Sequence, residues 1–165
     1  QINVICEVAS SLGARVSHVK PHGALYNMAA RRADYARAIV DALVAIDPTF
    51  VLFGLSGSVM IETAKKAGLR TCAEVFADRS YQEDGSLTPR TAPNAMITDV
   101  HEAVLQVTDM VINNRVKTAN GHWIDIHVDT ICIHGDTPNA VEYAREIRKG
   151  LELAGVKITS YLQHP

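Results

Sequence analysis

The segment EVFADRSYQEDGSLTPR, from Glu74 to Arg90, starts as an apolar strand and continues as a long loop rich in ionisable side chains. The strand itself is predicted at Thr71 to Phe76. A long polar loop directly after a buried strand is more often built for binding or chemistry than for connection alone. The segment is therefore the first candidate for a functional site, and the residues around it decide the fold.

Strand and helix signals alternate on both sides of this segment. Phe50 to Phe53 is fully apolar, as expected of a parallel-sheet strand that is covered on both faces. Asp99 and Glu102 have the spacing of a capping box that begins a helix. Asn120-Gly121, between two short β-prone runs, predicts a hairpin turn. Strand followed by helix, several times over, predicts a parallel α/β architecture with right-handed crossovers, as either a barrel or an open sheet.

The predicted elements cover most of the chain. Helices are expected at Val4 to Leu12, Asp34 to Ile46, Ser58 to Ala67, Asp99 to Ile112 and Ala140 to Ala154, the last one beginning after an N-cap at Thr137-Pro138. Further strands are expected at Ala14 to Val19, Thr130 to Ile133 and Val156 to Thr159. In the second helix the apolar spacing places these residues on the inner side: Ala36, Ile39, Val40, Leu43 and Val44.

Length and composition favour one globular domain over residues 1–165, because 165 residues with 47% hydrophobic content can bury a single substantial core. The net charge of −2 and the low aromatic content argue against nucleic acid or an anionic membrane as a partner. Cys6, Cys72 and Cys132 have no paired spacing and fit buried thiols in a reducing cytoplasm. No apolar run approaches the ~20 residues of a membrane helix, so we predict a cytoplasmic protein.

The polar residues follow the C-terminal ends of successive predicted strands, where ligands bind in both barrels and open α/β sheets. They are Lys20, His22, Tyr26 and Asn27 after the first strand, Ser56 and Ser58 after the second, Glu74, Asp78 and Arg79 after the third, and His134, Asp136 and Thr137 after the fourth. Side-chain alternation places Glu74 on one face of its strand and His134 on one face of another, so in a barrel the two could converge near the mouth.

Glu74 is the first candidate for an acid or base, since a carboxyl group among apolar neighbours holds its proton more tightly and can exchange it near neutral pH. The alternative is a structural ion pair with Arg79 or Arg90. His22, His134 and Asp136 could form a metal site from different strand ends, although they could equally be hydrogen-bonded groups that orient loops.

Two segments bring small residues to a predicted helix N-terminus, where an anionic group of a substrate would be favoured: Gly54 to Ser58 and His134 to Thr137. Neither has the form of the glycine-rich loop that binds nucleotide phosphates. Ordinary helix capping is the alternative at both.

Four blocks together resemble the LamB/YcsF family of lactam-utilisation proteins: HVKPHGALYN (His18 to Asn27), GLSGS (Gly54 to Ser58), EVFADRSYQEDGSLTPR, and DTICIHGDTPNA (Asp129 to Ala140). The resemblance implies a (β/α) barrel of the glycoside hydrolase and deacetylase type. An acidic block and a cysteine-containing block with which family members usually begin are absent, so the chain is expected to be the C-terminal two-thirds of a (β/α) barrel, which is then incomplete. Asn94 and Asn139 stand where the family commonly has glycine, and asparagine tolerates similar backbone angles.

The resemblance also implies an activity, the ATP-dependent opening of the 5-oxoproline lactam to glutamate by a 5-oxoprolinase whose A subunit works together with subunits B and C. ATP is then expected to be bound with or by those partner subunits, and the metal requirement is left open. The family's motif residues lead to two predicted sets: catalytic Glu74, His134, Asp136 and His22, and substrate-binding Lys20, Tyr26, Asn27, Asp78, Arg79 and Arg90. The alternatives are a metal-dependent deacetylase and a non-catalytic, substrate-binding subunit.

Overall fold

A computed structural model describes residues 1–135 and 140–161 of the chain. Within those ranges the helices are α1 (Ile2–Ser11), α2 (Gly23–Arg31), α3 (Ala33–Ile46), α4 (Val59–Lys66), α5 (Val100–Asn113) and α6 (Ala140–Leu153). The strands are β1 (His18–Val19), β2 (Val51–Leu55), β3 (Arg70–Phe76), β4 (Arg115–Lys117), β5 (Trp123–Asp125) and β6 (Thr130–Cys132). The chain divides into two compact units, Gln1–Ala73 and Glu74–Pro165, and the division falls within β3. That one domain spans residues 1–165 stays a prediction.

In the first unit β1, β2 and β3 follow one another in the sheet, and β1 pairs with β2 in parallel. All five residues of β2 are buried, as the apolar run predicted. Helices α2, α3 and α4 pack against one another. The Ser58 hydroxyl caps α4 by accepting a hydrogen bond from the amide of Ile61 at 3.3 Å, so this part of the GLSGS block acts as a helix cap.

In the second unit the end of β3 pairs in parallel with β6, with Glu74 opposite Thr130 and Phe76 opposite Cys132. Helices α5 and α6 pack together and form a core with one face of these strands. Asp99 caps α5 by accepting from the amide of Glu102 at 2.9 Å, which confirms the predicted start of this helix. Strands β4 and β5 form the predicted antiparallel hairpin around Asn120-Gly121.

Several predictions about elements need correction. The strand predicted at Ala14 to Val19 is formed only at β1, and Val156 to Thr159 is not a strand. Helix α2 was not predicted, because Pro21 and the left-handed Gly23 (φ 62°) interrupt the local helix signal. In α3 the side chain of Val44 is 41% exposed rather than on the inner side. The predicted cap at Thr137-Pro138 lies outside the described residues.

The structure also bears on the predictions for the three cysteines and for the asparagines at glycine-like positions. Cys72 is buried, whereas Cys6 and Cys132 are half-buried thiols. Asn94 has φ 57°, in the left-handed region, so an asparagine does occupy a glycine-like backbone position there. Asn139 lies outside the described residues.

Gly150 allows α5 and α6 to approach closely, because a methyl group at this position would overlap the side chain of Val104. A glycine-to-alanine change inside a helix normally stabilises it by about 1 kcal/mol. Here we expect Gly150→Ala to lower the free energy of unfolding by about 1–3 kcal/mol through overpacking. Urea denaturation checks this, and in a Val104→Ala background the loss should disappear. A stabilising Gly150→Ala would contradict the close packing.

Candidate functional site

One face of β3 and β6 packs against the helices, and the other face carries the polar residues. Ala77 lies in the core with α5 and α6, and Ile131 and Ile133 pack against the same core. By alternation the opposite face carries Glu74, Phe76 and Asp78 from β3 and its extension, together with Cys132 and His134 from β6 and its extension. The rings of Phe76 and His134 stack with centroids 5.5 Å apart. Alternation therefore places Glu74 and His134 on the same face of these strands, and their convergence near a barrel mouth stays a prediction.

Asp78 and His134 form the closest polar pair on this face. The distance from Asp78 Oδ2 to His134 Nδ1 is 2.7 Å. The Asp78 side chain is fully buried, whereas that of His134 is 25% exposed. With Asp78 ionised, its carboxylate only accepts hydrogen bonds, so Nδ1 would donate and a neutral imidazole would carry its lone pair on Nε2. The pair therefore presents a basic nitrogen that is oriented by a buried carboxylate.

The structure places Asp78 beside a histidine, and its predicted part in substrate binding stays a prediction. The alternation of Glu74, Phe76 and Asp78 past the end of β3 is the sequence signal that could have indicated this arrangement. Glu74 is 3% exposed on the same face. Burial raises the pKa of the Tyr81 phenol, and a negative charge on Glu74 would raise it further.

Two residues without a predicted role at the site hold the backbone at the end of β3. The Tyr81 hydroxyl accepts a hydrogen bond from the amide of Phe76 at 2.8 Å. From α5, Gln106 Nε2 lies 3.0 Å from the carbonyl oxygen of Arg79 and 3.2 Å from that of Phe76. A lone glutamine inside a helix has no sequence pattern that would have identified it.

Arg79 is buried and bonds to its own loop. Its guanidinium donates to the carbonyl oxygen of Ala95 at 3.3 Å and to that of Thr88. Burial lowers the pKa of Arg79, and the nearby positive charge of Arg90 lowers it further. These contacts hold the loop that follows β3 in a defined shape. Substrate binding by Arg79 and Arg90 stays a prediction.

The predicted residues of the first unit cluster around the start of α2. Lys20 Nζ lies 5.7 Å from the centre of the buried Tyr26 ring. Asn27 donates to the carbonyl oxygen of Gly23 at 3.3 Å, and His22 is the N-cap residue of α2 without a side-chain capping bond. The catalytic role of His22 and the substrate-binding roles of Lys20, Tyr26 and Asn27 stay predictions.

The metal hypothesis involves a residue that the structure does not describe, because Asp136 lies outside residues 1–135 and 140–161. Within those ranges no group of three or more histidine, cysteine, aspartate or glutamate side chains is arranged to hold a metal ion. The same described part of the chain contains no helix that is long and apolar enough to cross a membrane.

Buried phenols make stability sensitive to alkaline pH. Burial raises the pKa of Tyr143 to about 12, from 10.0, and burial also raises that of Tyr81. A raised folded-state pKa means that the stabilisation is complete below pH 10 and is lost as the pH rises toward 12, since the unfolded chain releases its protons first. We expect the free energy of unfolding, measured with urea, to fall over this range.

In the Tyr143→Phe variant the free energy of unfolding should fall less steeply over the same pH range, because only one of the two phenols with a raised pKa remains. A fall as steep as that of the unaltered protein would contradict a raised pKa at Tyr143.

The fold and the site define an α/β protein with its polar residues at the C-terminal ends of parallel strands. The pattern of the LamB/YcsF family matches residues 1–164, and the chain belongs to this family. It is 52% identical over 158 residues to a protein of Bordetella pertussis that is named as the A subunit of 5-oxoprolinase. It is 50% identical to the protein of the same name from Tolumonas auensis. Each alignment covers 96% of the chain, and the chain spans 63% of the length of these curated relatives.

The structure resembles the crystal structure of a lactam utilization protein from Thermus thermophilus, with a TM-score of 0.88 and 42% identity. The similarity covers 98% of this chain and 64% of that one. The match agrees with the predicted α/β fold, an incomplete (β/α) barrel.

Proposed function

We propose that the protein carrying this chain is the A subunit of an ATP-dependent 5-oxoprolinase, which hydrolyses the lactam amide of 5-oxoproline to glutamate. Relatives at about 50% identity that carry this subunit name support the proposal. The observation that carries its chemistry is the 2.7 Å hydrogen bond between buried Asp78 and His134. A histidine oriented by a carboxylate is a common general base, and amide hydrolysis requires one.

In the proposed reaction His134 Nε2 takes a proton from water as the water oxygen bonds to the lactam carbonyl carbon. The carbon–nitrogen bond of the ring then breaks, and the departing nitrogen takes up a proton. Glu74, on the same face of the strands, is the proposed donor of that proton. Asp78 keeps its hydrogen bond to Nδ1 throughout and stabilises the charged imidazolium that forms. His22 and Asp136 are retained as proposed further catalytic residues.

The substrate carries a carboxylate, so a fixed positive charge is expected to hold it. We assign this part to Arg90 in preference to Arg79, because Arg90 is exposed whereas the Arg79 guanidinium is buried. Lys20, Tyr26 and Asn27 are retained as proposed contacts to the rest of the substrate. An arginine binds a carboxylate through two parallel hydrogen bonds, which also orients the ring.

The subunit name of the relatives supports partner subunits, proposed to be B and C. ATP is proposed to be a co-substrate that binds with or on those partners, where a second water molecule accepts its terminal phosphoryl group, which gives ADP and phosphate as the lactam opens. The proposed location is the cytoplasm.

The test is a reconstituted assay with the full-length protein, its partner subunits, ATP and 5-oxoproline. We expect glutamate and ADP to form together, and His134→Gln to remove glutamate formation. Glutamate formation without ATP, together with a stoichiometric divalent ion, would instead indicate a metal-dependent deacetylase-like hydrolase. Unchanged turnover in His134→Gln would contradict the proposed base.

A further inference from the structure

We propose that Gln106 and Tyr81 are positioning residues, which hold the end of β3 so that the Asp78 carboxylate stays hydrogen-bonded to His134. The kinetic part of this inference rests on the proposed function, whereas its structural part does not. Neither residue is proposed to touch the substrate.

The amide groups before Asp78 are fixed on two sides. The amide of Phe76 donates to the Tyr81 hydroxyl at 2.8 Å, and the amide of Ala77 donates to the carbonyl oxygen of Cys132 at 3.1 Å. Tyr81 is fully buried, so its hydroxyl is the partner that a buried amide needs in place of water. Removal of the hydroxyl would take this hydrogen bond away from the amide.

The carbonyl groups around Asp78 are held from α5 and from the loop. Gln106 Nε2 lies 3.2 Å from the carbonyl oxygen of Phe76, 3.4 Å from that of Ala77 and 3.0 Å from that of Arg79. The carbonyl of Asp78 itself accepts from the amide of Ile97 at 2.9 Å. The carboxamide therefore spans the strand extension on both sides of the aspartate.

These contacts matter because β3 ends at Phe76, two residues before Asp78. A catalytic carboxylate beyond the last strand residue depends on other groups for a fixed backbone. A displacement of about 1 Å in a catalytic geometry can cost about 100-fold in rate. With Tyr81 and Gln106 in place, the backbone holds the Asp78 carboxylate 2.7 Å from His134 Nδ1.

The experiment uses Gln106→Met, which keeps the length but removes the amide donor, and Tyr81→Phe, which removes only the hydroxyl. We expect kcat in the reconstituted assay to fall by about 10- to 100-fold, with KM changed by less than about twofold. The second readout is nitrogen NMR of isotope-labelled histidine in the full-length protein. The His134 signal should report the Nδ1-protonated tautomer in the unaltered protein and a mixture of tautomers in both variants.

The matched control is Thr108→Val on the same helix, since the Thr108 hydroxyl donates to the carbonyl of Val104 and not to the strand. It should leave kcat and the His134 signal unchanged. A Gln106→Met protein with unaltered kcat and tautomer would overturn the inference, and this variant decides alone should Tyr81→Phe fail to fold. If the unaltered protein has no 5-oxoprolinase activity, the proposed function fails, and the tautomer comparison still decides the positioning.

Discussion

Asp78→Asn is expected to lower kcat for 5-oxoproline hydrolysis by about 10²- to 10⁴-fold, the usual contribution of a general base. The asparagine amide can donate to Nδ1 of His134, which would move the ring proton to Nε2 and remove the basic lone pair from the reacting side. KM should change little, because Asp78 is fully buried behind the histidine. The measurement is steady-state turnover in the reconstituted complex.

The matched control for this variant is Asp109→Asn in the same unit. Asp109 is half-buried and forms an ion pair with Arg115 at 3.1 Å, away from β3. The control should retain turnover and lose little stability, since surface ion pairs contribute about 0–1 kcal/mol. A turnover in Asp78→Asn equal to that of the control would remove Asp78 from the mechanism.

Glu74→Gln is expected to lower kcat by about 100-fold or more, because glutamine preserves the shape of the side chain but cannot give up a proton to the departing lactam nitrogen. Glu74 is buried on the same face as His134, and its shape must be kept to avoid a cavity. The measurement is single-turnover glutamate formation, which isolates the chemical step from product release.

The control for Glu74→Gln is Glu152→Gln on the exposed surface of α6, where the carboxylate pairs with Arg148 at 2.9 Å. Near-normal single-turnover rates in both variants would show that Glu74 has a structural role and no catalytic one. A substrate analogue without an amide leaving group should bind Glu74→Gln and the unaltered protein equally well.

The elements that were predicted correctly from the sequence are those whose signal lies in a few neighbouring residues. The apolar run at β2, the Asp99 cap and the Asn120-Gly121 turn each depend on neighbouring residues alone, and all three are confirmed. Val156 to Thr159 has the apolar character of a strand but is not one. A strand requires a hydrogen-bonded partner, and the sequence of a single segment does not reveal whether one is available.

The candidate site was predictable to the extent that it follows strand alternation. For that reason Glu74 and His134 were expected to be able to converge in a barrel, and alternation in the structure places both on one face of the strands. The pairing of Asp78 with His134 joins residues 56 positions apart, so alternation indicates a shared face but not the contact itself. Gln106 and Tyr81 form hydrogen bonds with backbone groups near Asp78. Their residue types alone do not predict which backbone groups they contact. Asp136 lies outside the described residues and stays a prediction.

The central claim is that Asp78 and His134 act as one unit, and a double-mutant cycle tests it most directly. The cycle compares kcat for Asp78→Asn, His134→Gln and the double variant in the reconstituted complex. Residues that act as a unit are strongly non-additive, so the double variant should be no slower than His134→Gln alone. Additive losses, with the double variant slower by the product of the two single effects, would contradict the account.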